Sequence, residues 1–574
     1  MILGLRRTSL LPLRRIILTP TVSPARILSI PRYYSTMSLI KTLPVLDDKD
    51  LAEGEHKAVE FDGTKILLSR VKGEVHATSA HCTHYGAPLE KGVLDSSGRL
   101  VCPWHNACFN VTTGDIEDSP GLDSLWKYAV EIKDGKIFVS ASEKEVKAKV
   151  GRVIPRARKP IAATQKLKVV IVGGGAGAIH TIESLRERDY AGDITVISAE
   201  PYAPIDRTKL SKGLVDDATK VEWRTPEVLT NDFGVELQLG TSVTAIDTQA
   251  QTVTTDKGAS VKYDHLVLAP GSIPRKIPIP GIDLDGVVTI RHTSDVKAVN
   301  DALGPDADVV IIGTSFIGIE AAQALAKKEH KSLVVVGVDE VPFENILGRD
   351  VGLSLVKNLE GQGITLHRGA KIEALTASPD GKKVAGIQIK DIGTLPASVV
   401  IVGTGVRPAT DFLKASSIAL ERDGGVTVDE YLRVAGHKNV YAIGDIAHYP
   451  QFPDGFSRRV EHWNVAGNHG REVGRTIANP DQPAAYRRAP HFWSTIGKGL
   501  RFVSTGAPSD ETYFDGSAED LKFVLYQAKG GKITTVASMG RDPIVAKASE
   551  LFIEGKLPTL DEIRNGKSLL DIQT

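Results

Sequence analysis

The stretch from Lys168 to Arg188, KVVIVGGGAGAIHTIESLRER, decides the architecture. The four apolar residues after Lys168 make a buried strand, three glycines make a tight turn, and the remainder has a helical apolar spacing. Gly173, Gly175 and Ala178 fit G-x-G-x-x-G/A. The first position permits the turn, the second lets backbone approach a pyrophosphate, and the third lets helix pack on strand. The helix N-terminus then favours phosphate charge. A second such unit begins about 140 residues later, at Asp308, with DVVIIGTSFIGIEAAQALAKK. Two strand–turn–helix units imply two nucleotide sites.

Each site has further residues. In the first, Glu200 ends the next strand, DITVISAE, where it can bind ribose hydroxyls. In the second, Gly313 and Gly318 bracket the turn, and Ser315 stands where the middle glycine is usual, crowding the pyrophosphate approach. In the strand SLVVVGVDE (332–340) Gly337 stands where the strand-end acid is usual. Asp339 and Glu340 lie two and three residues on, with no arginine before Arg349. That favours NADH over NADPH.

Before these units, residues 43–142 form short alternating runs with glycine turns, which read as a small all-β domain. It contains Cys82-Thr83-His84 and, after seventeen intervening residues, Cys102-Pro103-Trp104-His105. Each loop gives one thiolate and one imidazole. That suits a [2Fe–2S] cluster with the cysteines on one iron and the histidines on the other. Zinc accepts the same donors, although zinc fingers usually pair Cys with Cys and His with His along the chain. Cys108 is the third and last cysteine, and reads as a small buried hydrophobe beside the cluster loop.

Composition excludes several classes. The chain has 574 residues, 41% of them apolar, which supports packed cores in several domains. Its 70 basic and 70 acidic residues cancel, which argues against a nucleic-acid binder. Three cysteines are too few for a disulfide scaffold. No apolar run is long enough for a transmembrane helix. Residues 1–46 are the exception to the charge balance: six arginines and Lys41 occur with no acid before Asp47. An acid-free, arginine-rich start reads as a mitochondrial presequence, expected over 1–34 with the cut after Tyr34. Initiation at Met37 would give a cytosolic form.

The cluster motif, with Gly86, Pro88 and Pro103-Trp104, resembles Rieske domains. PYAPIDRTKLSKG (201–213) resembles a segment of ferredoxin-reductase and apoptosis-inducing-factor flavoproteins. NVYAIGDIA (439–447) resembles the second flavin motif of disulfide-reductase-like flavoproteins. VEHWNVAGNHG (460–470) and HFWSTIGKGLRF (491–502) resemble further segments of the same family. Taken together, the chain resembles apoptosis-inducing-factor-like flavoproteins with an N-terminal Rieske domain.

The resemblance implies an α/β chain. An all-β Rieske domain (43–142) and a linker (143–166) precede two Rossmann-like domains of the pyridine nucleotide-disulfide reductase type. The FAD domain spans 167–290 and 409–485, the NAD(P) domain 291–408, and a small α+β domain with a polar C-terminal helix fills 486–574. DHLVLAPGSIPR (264–275) and VIVGTGVRPATDFL (400–413) would join the FAD and NAD(P) domains. It further implies that Arg207 and Lys212 lie at the flavin, Lys212 as a catalytic residue near its reactive edge. Asp445 would bind the ribityl or phosphate region, His462 and Trp463 would close the pocket, Trp493 would lie near the isoalloxazine, and Glu320 would contact the nicotinamide side. The family's high-potential Rieske counterparts carry an extra cysteine in each ligand loop and Ser and Tyr hydroxyls at the cluster. The matching positions here are Ala87, Trp104, Ala107 and Phe109. No cysteine follows Cys108, so thiol–disulfide reduction is excluded.

The expected function is electron transfer from NAD(P)H through FAD to the [2Fe–2S] cluster and on to a ferredoxin-like or oxygenase-like acceptor. The alternative is a redox-sensing or apoptosis-signalling flavoprotein whose cofactors control partner binding.

Overall fold

The computed structural model describes residues 39–148, 151–153, 167–483 and 485–574. The presequence expected over 1–34 lies outside the described residues.

The N-terminal β-domain has two antiparallel sheets. The larger runs Ile40–Asp47, Lys136–Ser142, Lys127–Lys133, Glu74–Ser79, Thr64–Val71, His56–Phe61 in spatial order. Period-2 alternation explains its two cores. On the strand Thr64–Val71, Ile66 and Leu68 pack with Phe61, Ala77 and Ile137, while Leu67 points oppositely toward Leu89, Leu100 and Phe109. The smaller sheet is Val93–Leu94, Arg99–Val101, Cys108–Asn110, Ile116–Asp118. One Cys/His loop runs between the strand Glu74–Ser79 of the larger sheet and Val93–Leu94, and the other joins the inner strands Arg99–Val101 and Cys108–Asn110 of the smaller sheet.

Part of the expected linker belongs to the β-domain. Glu143–Val146 is a helical turn closed by a capping box between Ser142 and Glu145. Arg152 pairs through its backbone with Ser124 and through its guanidinium with Asp115. The short, charged run gives no apolar period, so neither feature is visible in its sequence. Residues 149–150 and 154–166 lie outside the described residues.

The two nucleotide units are parallel sheets. The first runs Val235–Gln238, Asp193–Ile197, Lys168–Val172, His265–Leu268, Val440–Ala442. The second runs Val287–Val288, Val399–Val402, Asp308–Ile312, Ser332–Val336, Thr365–His367. Their central strands are apolar on both faces, as parallel strands covered by helices must be. The antiparallel pair Ser272–Pro274 and Val406–Pro408 links the units. Across the first sheet the helices Ala176–Glu187 and Trp463–Ala478 pack closely. A side chain at Gly470 would stand 2.4 Å from the Gly177 carbonyl oxygen.

The C-terminal unit is a five-stranded antiparallel sheet with the helices Ile544–Glu554 and Leu560–Arg564. The polar C-terminal helix expected is Leu560–Arg564, whereas Ile544–Glu554 is buried from Ile544 to Phe552. Its polar residues are consumed by contacts with the β-domain: Asn106 Nδ2 donates to Ser549 Oγ at 3.0 Å, and Arg99 pairs with Glu550 at 3.2 Å. The β-domain is therefore wedged between the flavin-side helices and this unit. Among the described residues no helix is long and apolar enough to cross a membrane.

Candidate functional site

The two Cys/His loops are built alike. Cys82 N–H donates to the Ala87 carbonyl and Gly86 N–H to the Cys82 carbonyl, both at 2.9 Å. Cys102 N–H likewise donates to Ala107 at 2.8 Å, and Asn106 N–H to Cys102 at 3.3 Å. Each loop turns through a left-handed residue four after its cysteine, Gly86 (φ 74°) and Asn106 (φ 63°). Glycine and asparagine are the residues that tolerate this conformation.

The loops bring their four donors together. The Cys82 and Cys102 thiols are buried and hydrogen-bond to one another. This bond, then burial, pushes the Cys82 thiol well up. Burial also acts to raise Cys102, but the Cys82 thiol and the N–H groups of Trp104 and His105 outweigh it and bring Cys102 down. The His84 and His105 rings meet edge-on, centroids 4.8 Å apart. Burial holds His84 neutral, with its pKa at about 3, and pushes His105 well down too. His84 Nδ1 and His105 Nε2 are buried without a hydrogen-bond partner. Two paired thiols and two neutral imidazoles with bare nitrogens fit a two-iron cluster. Among the described residues no three His, Cys, Asp or Glu side chains gather as one mononuclear ion requires.

Cys108 is buried, with its thiol raised by burial. It is the small buried hydrophobe expected beside the cluster loop, and it packs with Val93, Val101 and Ala546 of the helix Ile544–Glu554. On its short strand it alternates with Phe109, so only Phe109 faces the ligand-loop core.

The first nucleotide site is assembled at the C-terminal ends of its parallel strands. Gly173 has φ 110°, and a side chain there would lie 2.1 Å from the Ala269 carbonyl oxygen. Gly175 opens the helix, and a methyl group added to it would meet nothing within 4 Å, so the turn forms a cradle with space for a phosphate. Ala178 is fully buried behind it. Glu200 receives Arg207 at 2.7 Å, His292 Nδ1 at 2.9 Å and the Tyr202 hydroxyl at 3.1 Å. Burial would raise its carboxyl, but His292 and Arg207 outweigh it and bring the pKa to about 2. Asp445 accepts from Ser272 and faces Arg291 at 3.9 Å.

The opposite end holds the ion pair of Lys212 and Glu320, 3.1 Å apart. Ser211 and Ser494 hydroxyls donate to the same carboxylate at 2.8 and 2.7 Å. Lys212 Nζ lies 5.9 Å from the Trp493 ring centroid. His462 caps the helix Trp463–Ala478, accepting from Asn464 N–H at 3.3 Å. Burial first, then the Lys212 charge, lowers it to about 3. Trp463 packs on Trp223 at 5.2 Å.

At the second site Gly313 approaches the Gly403 carbonyl, and Gly318 turns its face to the Gly313 carbonyl. Ser315 does more than crowd the turn. Its hydroxyl caps the helix by accepting from Gly318 N–H at 3.2 Å and donates to the Gly403 carbonyl at 2.8 Å. Asp339 is held by the Thr314 hydroxyl at 3.3 Å.

Both halves meet face to face. His105 lies 4.6 Å from Trp493, and His84 lies 5.6 Å from Trp223, centroid to centroid. The indole N–H groups of Trp223, Trp463 and Trp493 are buried without partners. Sequence reasoning missed Tyr85, Trp223, Arg291, His292 and Ser494. A lone tryptophan in KVEWRTPE (220–227) or an arginine in TIRHTSD (289–295) has no motif spacing to betray it.

Two family models match: pyridine nucleotide-disulphide oxidoreductase over 167–470, and Rieske [2Fe–2S] domain over 41–129. The chain belongs to the pyridine nucleotide-disulphide oxidoreductase family and carries a Rieske domain. It is thus an NAD(P)H-dependent flavin oxidoreductase whose cofactors are FAD and a [2Fe–2S] cluster. Within that class it is similar to human apoptosis-inducing factor 3, 34% identical over 92% of this chain and 87% of that protein. It is also similar to the benzene 1,2-dioxygenase system ferredoxin–NAD(+) reductase subunit of Pseudomonas putida, 27% identical over 67% of this chain and 92% of that one. Among solved structures, a ferredoxin reductase for the CYP199A2 system of Rhodopseudomonas palustris matches with TM-score 0.64 and 27% identity. It covers 69% of this chain and 96% of that one.

Proposed function

We propose that this chain is a fused reductase and Rieske ferredoxin. It would take electrons from NADH, pass them through FAD to its own cluster, and hand them to a ferredoxin-like or oxygenase-like acceptor. The nicotinamide supplies a hydride, the flavin accepts its two electrons, and the cluster accepts electrons one at a time. Cys82, His84, Cys102 and His105 hold the cluster. Gly173, Gly175, Ala178, Glu200, Arg207 and Asp445 hold FAD, with His462 and Trp463 closing its pocket and Lys212 as the catalytic residue. Gly313, Gly318 and Glu320 serve the nicotinamide nucleotide.

The carrying observation is the contact of the cluster loops with the Lys212 end of the flavin-side site, His105 on Trp493 and His84 on Trp223. The names of the bacterial relatives support a ferredoxin or oxygenase system. Asp339, three residues past the strand end at Val336 and with no arginine beside it in sequence, supports NADH. Lys212, held by Glu320 at 3.1 Å, would stabilise a reduced, anionic flavin.

The proposed domains are those read from the sequence, save that the turn Glu143–Val146 and Arg152 join the β-domain: Rieske 43–142, FAD 167–290 with 409–485, NAD(P) 291–408, and C-terminal 486–574. The basic start supports a mitochondrial location, with a cytosolic form from Met37.

Anaerobic titration of the purified chain with NADH, followed by visible and EPR spectra, tests this function. The expected result is bleaching of the flavin together with growth of a Rieske EPR signal. Flavin reduction without cluster reduction would overturn it. The name of the human relative supports the second, signalling reading. Slow turnover with an artificial acceptor and a long-lived reduced complex would favour it.

A further inference from the structure

Tyr85 follows His84 on the first loop, and its contacts cross to the other domain. Its ring stacks on the His84 imidazole, centroids 3.8 Å apart and planes 16° apart. Trp223 covers His84 from elsewhere at 5.6 Å and 22°. The imidazole is therefore packed between one ring of its own loop and one ring of the flavin domain.

The flavin domain also grips Tyr85. Its hydroxyl donates to Asp206 Oδ2, and the Lys209 ammonium stands 4.2 Å from its ring centroid. A cation at that distance is attracted by the ring face. Asp206 is itself fixed. It is buried, its Oδ1 accepts from Thr208 N–H at 3.2 Å and from the Thr208 hydroxyl at 2.6 Å, and its N–H donates to Val221 at 2.7 Å. Asp206 and Lys209 stand on the same short segment as Arg207 and Lys212. One segment thus sends Arg207 to Glu200 and Lys212 to Glu320, and sends Asp206 and Lys209 to the cluster loop.

We propose that Asp206, Tyr85 and Lys209 form a positioning clamp that fixes the His84 edge of the cluster relative to the flavin. This rests on the reading that electrons pass from FAD to this cluster. The clamp ties the two redox sites to one rigid segment, so their separation is set once for both. The side chains transfer no electrons and no protons themselves. Their contribution is geometry, and small misplacements of reacting partners are costly in rate.

The test uses the full holoprotein with Tyr85→Leu, Tyr85→Phe and Asp206→Asn. Stopped-flow absorbance separates flavin reduction by NADH from the following cluster reduction. EPR of the dithionite-reduced protein counts clusters, and hydrogen exchange follows residues 203–213. Tyr85→Leu should keep the flavin-reduction rate and KM for NADH while slowing cluster reduction about tenfold. Tyr85→Phe, which keeps the ring but loses the hydroxyl, should fall between Leu and wild type. Exchange in 203–213 should rise in both. Cluster reduction at the wild-type rate in Tyr85→Leu would overturn the clamp. If Tyr85→Leu does not fold, a wild-type rate with unchanged exchange in both Tyr85→Phe and Asp206→Asn would overturn it equally. A wild-type protein whose cluster NADH never reduces would instead overturn the reading beneath it.

Discussion

Arg471 offers a direct measure of how firmly the β-domain is held. It lies on the helix Trp463–Ala478, and its side chain is 2% exposed. Its guanidinium pairs with Glu187 at 2.8 Å and donates to the carbonyls of Ile116 at 2.8 Å and Glu117 at 2.9 Å. The pair is internal to the flavin domain, and the two carbonyls belong to the β-domain. Arg471→Met would leave Glu187, 6% exposed, without its main partner. Breaking a buried pair in this way costs about 3–5 kcal/mol. Each orphaned carbonyl adds about 1–3 kcal/mol if no water reaches it. The terms overlap, so about 4–6 kcal/mol is the working figure. The double variant Arg471→Met/Glu187→Leu removes both charges and should recover the first part but not the carbonyl part. Urea denaturation of the holoprotein, followed separately by cluster visible circular dichroism and by FAD fluorescence, gives the readout. Wild type should lose both signals together. Arg471→Met should lose the cluster signal first and at lower urea. A loss below about 1 kcal/mol, with both signals still coincident, would refute the view that Arg471 clamps the domains.

Cys82→Ser or His105→Ala should abolish the Rieske EPR signal and leave FAD bound; retention of the signal in either would remove that residue as a ligand. Lys212→Ala should slow flavin reduction by NADH by at least about tenfold, more than it weakens FAD binding, because it also strands the buried Glu320 carboxylate; stopped-flow traces at unchanged rate would exclude Lys212 from the chemistry. Glu200 has its carboxyl lowered to about 2. Its contribution is present above the ordinary glutamate value and lost as pH falls from about 4.5 to about 2, amounting to about 3 kcal/mol. Acid denaturation of the FAD-free chain should therefore be shallower in Glu200→Gln over that window, and identical slopes would contradict it. The cluster potential should lie below about 0 mV, low in a range of roughly −150 to +300 mV. Buried Ala107 and Phe109 offer no hydroxyl, and the Tyr85 hydroxyl is committed to Asp206. A voltammetric midpoint in the upper part of the range would count against both the potential and the direction of electron flow.

What could be read from the sequence is what depends on local backbone chemistry. Gly173 must turn with positive φ against Ala269, and Gly86 must close a loop around Cys82, so those residues announce themselves. Parallel strands covered on both faces show as unbroken apolar runs, and the Thr64–Val71 strand, feeding two cores, shows as a β-type run. The interface between the β-domain and the rest is different in kind. Arg99, Asp118, Glu550 and Arg488 meet from distant parts of the chain, and each alone looks like a solvated surface charge. On the helix Ile544–Glu554, Ser549 and Glu550 likewise look like surface residues, although they spend their polarity on Asn106 and Arg99. The same holds for Trp223 and Tyr85, whose value lies wholly in what the other domain places against them. Motif spacing therefore marks each candidate cofactor site but not the contacts between them. Those contacts are between rings and follow no periodicity, and under the proposed function they are where substitutions should alter electron transfer without disturbing either cofactor.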